Sequence, residues 1–215
     1  MKIGILGSGE VGQALGTGFV AAGHTVRIGS RDPSRASLAD WVASVGGSGS
    51  TGTFADAASF GEVVVVATLG TAIEEAVRTA GVDRFEGKVV IDVSNPLKRG
   101  PDGAPALARG FTTSNGEELQ KVLPRARVVK AFNTVGHSLF YRPILPGGPP
   151  DMYLCGNDAA AKESVTRLLH DFGWPSVIDI GGIEGARELE ALCILWVKTA
   201  LRLQNFDIAF KVLRK

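Results

Sequence analysis

The sequence is short of the residues on which several functional classes depend. It has two cysteines in 215 residues, too few for a disulfide framework or a cysteine-held metal cluster. Cys155 and Cys193 both lie in apolar surroundings and are expected to be buried free thiols. The three histidines show no metal-ligand spacing, so no metal site is expected. The formal net charge is +1, without the basic excess that a polyanion partner needs, which argues against nucleic acid. Long apolar runs are also missing. The longest uncharged one, Val63 to Ile73, lies between Glu62 and Glu74 and is far too short to span a bilayer. Gly4 and Gly7 interrupt the N-terminal apolar run, so no signal-peptide core is expected there. These absences imply a cytoplasmic protein with no membrane partner.

What is present is an alternation of strand and helix periods. Lys2–Leu6 reads as a strand, Glu10–Ala22 as a helix stopped by Gly23, and Thr25–Ile28 as a second strand. A helix over Ser34–Val45 follows, opened by Asp32-Pro33 with Asp32 as its N-cap. The Gly-rich segment 46–52 reads as a flexible turn into a short third strand around Thr53. Four consecutive valines within Glu62–Ala67 mark a strand buried on both faces. A helix over Thr71–Ala80, a strand over Val89–Val93, a helix over Glu117–Leu123 ended by Pro124, and a strand over Ala126–Ala131 continue the series. Beyond the Pro-rich surface loop Arg142–Asp151, a strand over Met152–Cys155, a helix over Ala159–His170 and a strand over Ser176–Ile180 form one more β-α-β unit. An apolar helix over Gly185–Leu203 and a shorter one from Asn205 close the pattern. This is an α/β chain with a doubly wound parallel sheet, the Rossmann dinucleotide-binding fold. Residues 1–182 form the binding domain and 183–215 a helical extension packed on it.

Gly7-Ser8-Gly9-Glu10-Val11-Gly12 fits G-x-G-x-x-G and lies where that motif has meaning, after a strand and opening a helix. Gly7 permits the tight turn, Gly9 lets a pyrophosphate approach the backbone, and Gly12 lets helix and strand pack closely. The first free N–H groups of the helix then face the phosphates. The second strand runs into Gly29-Ser30-Arg31, where an NAD site usually offers an acid to the ribose 2′-hydroxyl. Ser30 and Arg31, with Arg35 one turn later, suit a 2′-phosphate instead, so the expected cofactor is NADP(H). Three more segments fall at carboxyl ends of strands, where ligands collect: Ala67-Thr68-Leu69-Gly70, Ser94-Asn95-Pro96 and Lys130-Ala131-Phe132-Asn133.

Together with Asp92-Val93 and Cys155-Gly156-Asn157-Asp158, these motifs stand in the order and spacing of a known set. The chain resembles the family of NADPH-dependent reductases of the deazaflavin coenzyme F420. It is similar also to the cytoplasmic nucleotide-binding domain of six-transmembrane metalloreductases. The resemblance extends through Gly181-Gly182 and Ala186-Arg187-Glu188-Leu189-Glu190. It implies hydride transfer between NADPH and a stacked tricyclic ring. Gly7 through Val11 would hold the pyrophosphate, Ser30 and Arg31 the 2′-phosphate, and Ala67 and Thr68 the ribose. Asn95, Pro96, Ala131 and Asn133 would surround the nicotinamide. The chain departs from the family at Leu69-Gly70, where a proline and an aromatic are usual, and at Asn133, where a histidine is usual. Both positions border the second ring, so the small-molecule hydride acceptor is left open.

Transfer between two bound rings needs alignment more than acid–base help, and no catalytic residue is assigned. His137, just past Asn133, is the one histidine within reach of the acceptor; His24 is expected on an exposed turn and His170 at the end of a surface helix. Lys98 and Arg99 stand near the mouth of the expected cleft, where they could hold an anionic acceptor tail. Tyr141 and Tyr153 are followed four residues later by Leu145 and Asn157, which excludes the Tyr–Lys pair of short-chain dehydrogenases. Two alternatives stand: an NADPH-dependent flavin or ferric reductase, and a non-enzymatic NADP(H) sensor. The surplus apolar surface of Gly185–Leu203 points to a homodimer.

Overall fold

The computed structural model of the chain describes residues 1–101 and 103–215. Its elements run β1 (Lys2–Leu6), α1 (Glu10–Ala21), β2 (Thr25–Gly29), α2 (Ala36–Val45), β3 (Gly49–Gly52) and α3 (Phe54–Phe60). Then come β4 (Val63–Val66), α4 (Ile73–Ala80), β5 (Val89–Asp92), β6 (Leu97–Arg99), β7 (Pro105–Leu107), α5 (Asn115–Val122) and β8 (Arg127–Lys130). The last are β9 (Asp151–Gly156), α6 (Ala159–Asp171), β10 (Ser176–Asp179) and α7 (Ala186–Leu203). Eight strands form one sheet in the order β10-β9-β8-β5-β4-β1-β2-β3. From β3 to β8 every pairing is parallel, as the alternation of strands and helices implies. The expectation of a wholly parallel sheet needs one correction. β9 runs antiparallel to β8, and β10 is parallel to β9, so the last unit enters the sheet upside down.

The valines of β4 divide between two cores, as alternate residues of a strand must. Val63 and Val65 pack with Leu15 and Phe19 of α1, Trp41 of α2 and Leu168 of α6 on one face. Val64 and Val66 pack with Phe54 of α3, Val77 of α4 and Leu119 of α5 on the other. Helices thus cover both faces, which explains why this strand carries no polar residue.

Three local expectations are overturned. The third strand is Gly49–Gly52, inside the segment read as a flexible turn, and Thr53 instead caps α3. The Thr53 hydroxyl accepts from the Asp56 N–H at 3.1 Å, while the Asp56 carboxylate accepts from the Thr53 N–H at 2.8 Å, a reciprocal capping box. The chain after α7 is not helical. Gln204 takes a left-handed conformation (φ 51°), and the tail beyond it has no regular secondary structure. It is held there because the Ile208 carbonyl accepts from Trp196 Nε1 at 2.7 Å and the Phe210 carbonyl from the Asp151 N–H at 3.0 Å. His24 is buried, not exposed, with its ring edge-on to Phe19 and Nδ1 3.4 Å from the N-terminal amine. Burial first, and the neighbouring amine second, hold its pKa below the ordinary imidazole value.

Candidate functional site

The parallel strands end along one edge of the sheet, and the chain order reverses at β1, with β2 on one side and β4 on the other. In such sheets the crevice outside the carboxyl ends opens at that reversal. Here it is a cleft of about 1150 Å³, bordered by residues 7–11, 30–32, 35, 67–72 and 93–95 together with Phe54, Glu75, Ala76, Thr79 and Leu97.

The turn from β1 into α1 forms its floor. Gly7 has φ +129°, and a Cβ there would lie 2.3 Å from the Ala67 carbonyl oxygen, so this position needs glycine twice over. A Cβ on Gly12 would lie 2.0 Å from the Gly7 carbonyl oxygen, which is how closely the helix sits on its own turn. Gly9 is different. It is the N-cap of α1 in extended conformation, it offers the first turn no side chain, and a Cβ built on it would meet nothing within 4 Å. The positive end of α1 therefore opens on the cleft with room for a group against the backbone. Gln13, which the motif does not include, stiffens the turn by donating Nε2 to the Ser8 carbonyl at 2.9 Å.

At the end of β2, Ser30 is buried and its hydroxyl lies 3.0 Å from that of Ser8 while accepting from the Asp32 N–H at 3.1 Å. Arg31 and Arg35 are exposed at this end of the cleft, and among the described residues neither takes part in an ion pair. Asp32 does not cap α2, whose N-cap position is Arg35. Its carboxylate accepts instead from the Ser34 hydroxyl at 2.6 Å and the Ser34 N–H at 3.1 Å. Those bonds, with Arg35 nearby, hold Asp32 below the usual carboxylate range, so it stays ionised and committed to its own turn.

Across the cleft, Thr68 Oγ1 is buried without a hydrogen-bond partner, the kind of orphan that a bound group could satisfy. Leu69 is 78% exposed, while a Cβ on Gly70 would lie 1.9 Å from the Asn95 carbonyl oxygen. The Leu69-Gly70 pair is thus one open side chain and one close backbone contact. Helix α4 presents Glu75, Ala76 and Thr79 to the cleft, together with its N-cap residue Ala72, at helical spacing. That face, and Phe54, were not singled out in the sequence.

The structure brings most of the sequence-derived positions together, though not all. Gly7, Ser8, Gly9, Glu10, Val11, Ser30, Arg31, Arg35, Ala67, Thr68 and Asn95 line the cleft. Gly12 lies beneath the turn, and Pro96 and Ala131 are buried off the wall. Asn133 is 3% exposed and stands behind Asn95, donating Nδ2 to Asn95 Oδ1 at 2.9 Å and to the Leu189 carbonyl at 3.0 Å. Phe132, in a left-handed conformation (φ 62°) between Phe140 and Phe172, turns the chain so that Asn133 reaches that position. His137 is exposed in a 3-10 turn, His137–Leu139, and is not among the cleft residues. Lys98 and Arg99 are exposed on β6, which pairs with β7 in a small hairpin beside the cleft. Among the described residues no acidic, histidine or cysteine cluster is placed to hold a metal ion, and no helix is long and apolar enough to cross a membrane.

Residues 2–96, which carry β1 through β5 and most of the cleft, match the model of the family described as NADP oxidoreductase, coenzyme F420-dependent. A solved structure from Arthrobacter sp. FB24, provisionally named an F420-dependent NADP-reductase, is 37% identical and superposes with a TM-score of 0.95 over 100% of both chains. The chain belongs to the F420-dependent NADP oxidoreductase family. The family's F420-dependent NADP reductase from Methanothermobacter thermautotrophicus is 29% identical over 94% of this chain and 90% of that protein. The metalloreductase STEAP3 of Rattus norvegicus is 34% identical over 89% of this chain. The chain spans only 36% of the length of that metalloreductase. The family is described as one of NADP oxidoreductases, and the chain has the Rossmann fold of its structural relative.

Proposed function

We propose that this oxidoreductase holds NADP(H) along the cleft and exchanges hydride between it and a deazaflavin of the F420 type. The observation that carries the reading is the open end of α1 at Gly9, set between two unpaired guanidinium groups on one side and the Ser94–Asn95 wall on the other. Bound there, the nicotinamide cofactor would supply the transferable hydride. Gly7 through Val11 would take the pyrophosphate by backbone N–H groups and helix dipole. Ser30, Arg31 and Arg35 would take the 2′-phosphate, the guanidinium forks matching its oxygens. Asn95, braced from behind by Asn133, would meet the nicotinamide end. Pro96 and Ala131 would contribute from behind the wall, through backbone shape rather than direct contact.

The acceptor end is bounded by exposed Leu69 and by Leu97, with Lys98 and Arg99 free in solvent next to it. Cations there suit an acceptor with an anionic tail, and relatives named F420-dependent NADP reductase support the deazaflavin. The openness at Leu69 favours a second reading, a free flavin or ferric acceptor, in keeping with the metalloreductase relative. Following NADPH oxidation with F420, FMN, FAD and ferric chelates in turn tests both. Fastest turnover with F420 supports the first reading, and turnover only with flavin or iron replaces it with the second. No turnover with any acceptor leaves an NADP(H) sensor. Leu195, Leu201, Leu203 and Phe206 leave an apolar side of α7 and its tail exposed, and we propose that a second copy covers it. A monomer by sedimentation at micromolar concentration would remove that part.

A further inference from the structure

Beneath the Ser94–Asn95 wall lie three charged side chains at 0% exposure: Asp92 at the end of β5, Lys130 at the end of β8, and Glu190 on α7. Lys130 Nζ donates to Asp92 Oδ2 at 2.8 Å, to Glu190 Oε1 at 2.7 Å and to the Ser94 carbonyl at 2.6 Å. Asp92 Oδ1 accepts from the Ser94 N–H at 2.9 Å. The Glu190 carboxylate accepts from the Asn115 N–H at 3.0 Å and the Gly116 N–H at 3.3 Å, at the start of α5. Asn115 Nδ2 in turn donates to the Gly70 carbonyl at 2.9 Å and to Ser94 Oγ at 3.0 Å.

Desolvating three charges costs about as much as their mutual attraction returns, so such a group adds little stability over an apolar filling. What it does add here is placement. The Ser94 N–H, carbonyl and hydroxyl are each tied to the network, and Asn115 spans from Ser94 to Gly70. Gly70 and Asn95 pack backbone against backbone, so neither cleft edge can move without the other. Asn133 adds a tie from Asn95 to the Leu189 carbonyl, next to Glu190 on α7.

We propose that Lys130 and Glu190 are positioning residues: acting through Ser94 and Asn115, they fix the Gly70 and Ser94–Asn95 edges between which the reacting ring is held. The inference rests on the reading of this cleft as the NADP(H) site. Neither residue touches the ligand. They act at the nicotinamide end alone, because the network makes no bond to the Gly7–Gly9 turn, Ser30, Arg31 or Arg35.

The test uses Glu190→Gln and Asn115→Ala, the second leaving all three charges in place. Binding of 2′,5′-ADP, which reports only the adenosine half, is measured by calorimetry. The emission of bound NADPH reports whether the nicotinamide ring is held, and the rate with F420 at saturating NADPH reports its alignment. The expected result is unchanged 2′,5′-ADP affinity, bound-NADPH emission shifted toward that of free nucleotide, and a rate at least about tenfold lower, the scale of a misaligned reacting pair. If both folded variants keep the wild-type emission and rate, the proposal is overturned. A parallel loss of 2′,5′-ADP affinity would also overturn it, since that is what a merely structural role predicts. Should Glu190→Gln fail to fold, Asn115→Ala decides by the same criteria. If the unaltered protein binds neither 2′,5′-ADP nor NADPH, the cleft reading itself falls and this inference with it; if it binds both but does not reduce F420, only the acceptor is wrong and the emission measurement still decides.

Discussion

Replacing Gly9 and Gly12 with alanine, one at a time, separates binding from folding within a single turn. At Gly9 the backbone is at φ −79° and ψ −174°, which any L-residue adopts, and a Cβ meets nothing within 4 Å. Folding should therefore be unharmed, and stability could rise by about 0.4–1 kcal/mol through a less flexible unfolded chain. For a chain of this size that is a gain in Tm of roughly 1–4 °C. The same methyl group would occupy space where the pyrophosphate approaches α1, so NADP+ affinity should fall at least about tenfold, or about 1.4 kcal/mol. At Gly12 the Cβ would lie 2.0 Å from the Gly7 carbonyl oxygen, a backbone atom that cannot step aside alone. Overpacking of that kind costs about 1–3 kcal/mol, so Tm should fall by several degrees. Thermal melts with and without NADP+, and titration calorimetry on each variant, read both effects. Full-strength NADP+ binding by Gly9→Ala would refute the reasoning, because the open space over the helix end would then not be the phosphate site.

Further outcomes follow from the same geometry. Arg31→Ala should erase most of the preference for NADPH over NADH, measured as the ratio of the two dissociation constants, and added salt should shrink the preference in the wild type because Arg31 is exposed. Burial pushes the Cys155 and Cys193 thiols up to about 12, so native protein at about pH 8 should resist iodoacetamide and react only when unfolded; rapid labelling of the native form would contradict this. His24 has its folded pKa below the ordinary value of about 6.5, so the unfolded chain takes up the proton first as pH falls. Stability should be complete above about pH 6.5 and decline as the pH drops toward the folded value. His24→Phe should flatten that part of the Tm profile, and an unaltered slope would show that another group is responsible.

The parts of this molecule that announce themselves in sequence are those with local causes. The turn at Gly7–Gly12 and the valines of β4 need only their own neighbourhoods to take shape, and the sequence places both correctly. β3 is different. It is an edge strand paired only with β2, its residues are Gly-Ser-Thr-Gly, and it looks like a linker. Gly49 is required there because a Cβ would lie 2.3 Å from Val45 Cγ2, a contact that only the folded chain reveals. The Thr53–Asp56 capping box was a readable signal for α3, obscured by taking Thr53 as the strand itself. The tail after Gln204 has helix-compatible residues but spends its carbonyls on Trp196 and the Asp151 N–H, and nothing local foretells that.

The candidate site divides the same way. Most positions named by the phosphate motif and by the ends of β2, β4 and β5 fall on the cleft wall, because sheet topology decides where strand ends gather, whereas Gly12, Pro96 and the end of β8 lie behind it. The α4 face escaped notice because Ala72, Glu75, Ala76 and Thr79 have no distinctive chemistry until the fold turns them inward. Lys130 lies at a strand end, as its position implies, but points down into the core, and its partner Glu190 lies 60 residues away. No spacing rule links two such residues.

The claim on which everything else depends is that the chain selects the phosphorylated dinucleotide. Titration calorimetry of the unaltered protein with NADP+ and NAD+ under one set of conditions tests it most directly. The account predicts NADP+ binding at least about tenfold tighter, or about 1.4 kcal/mol. No heat with NADP+, or equal affinity for the two nucleotides, would contradict it.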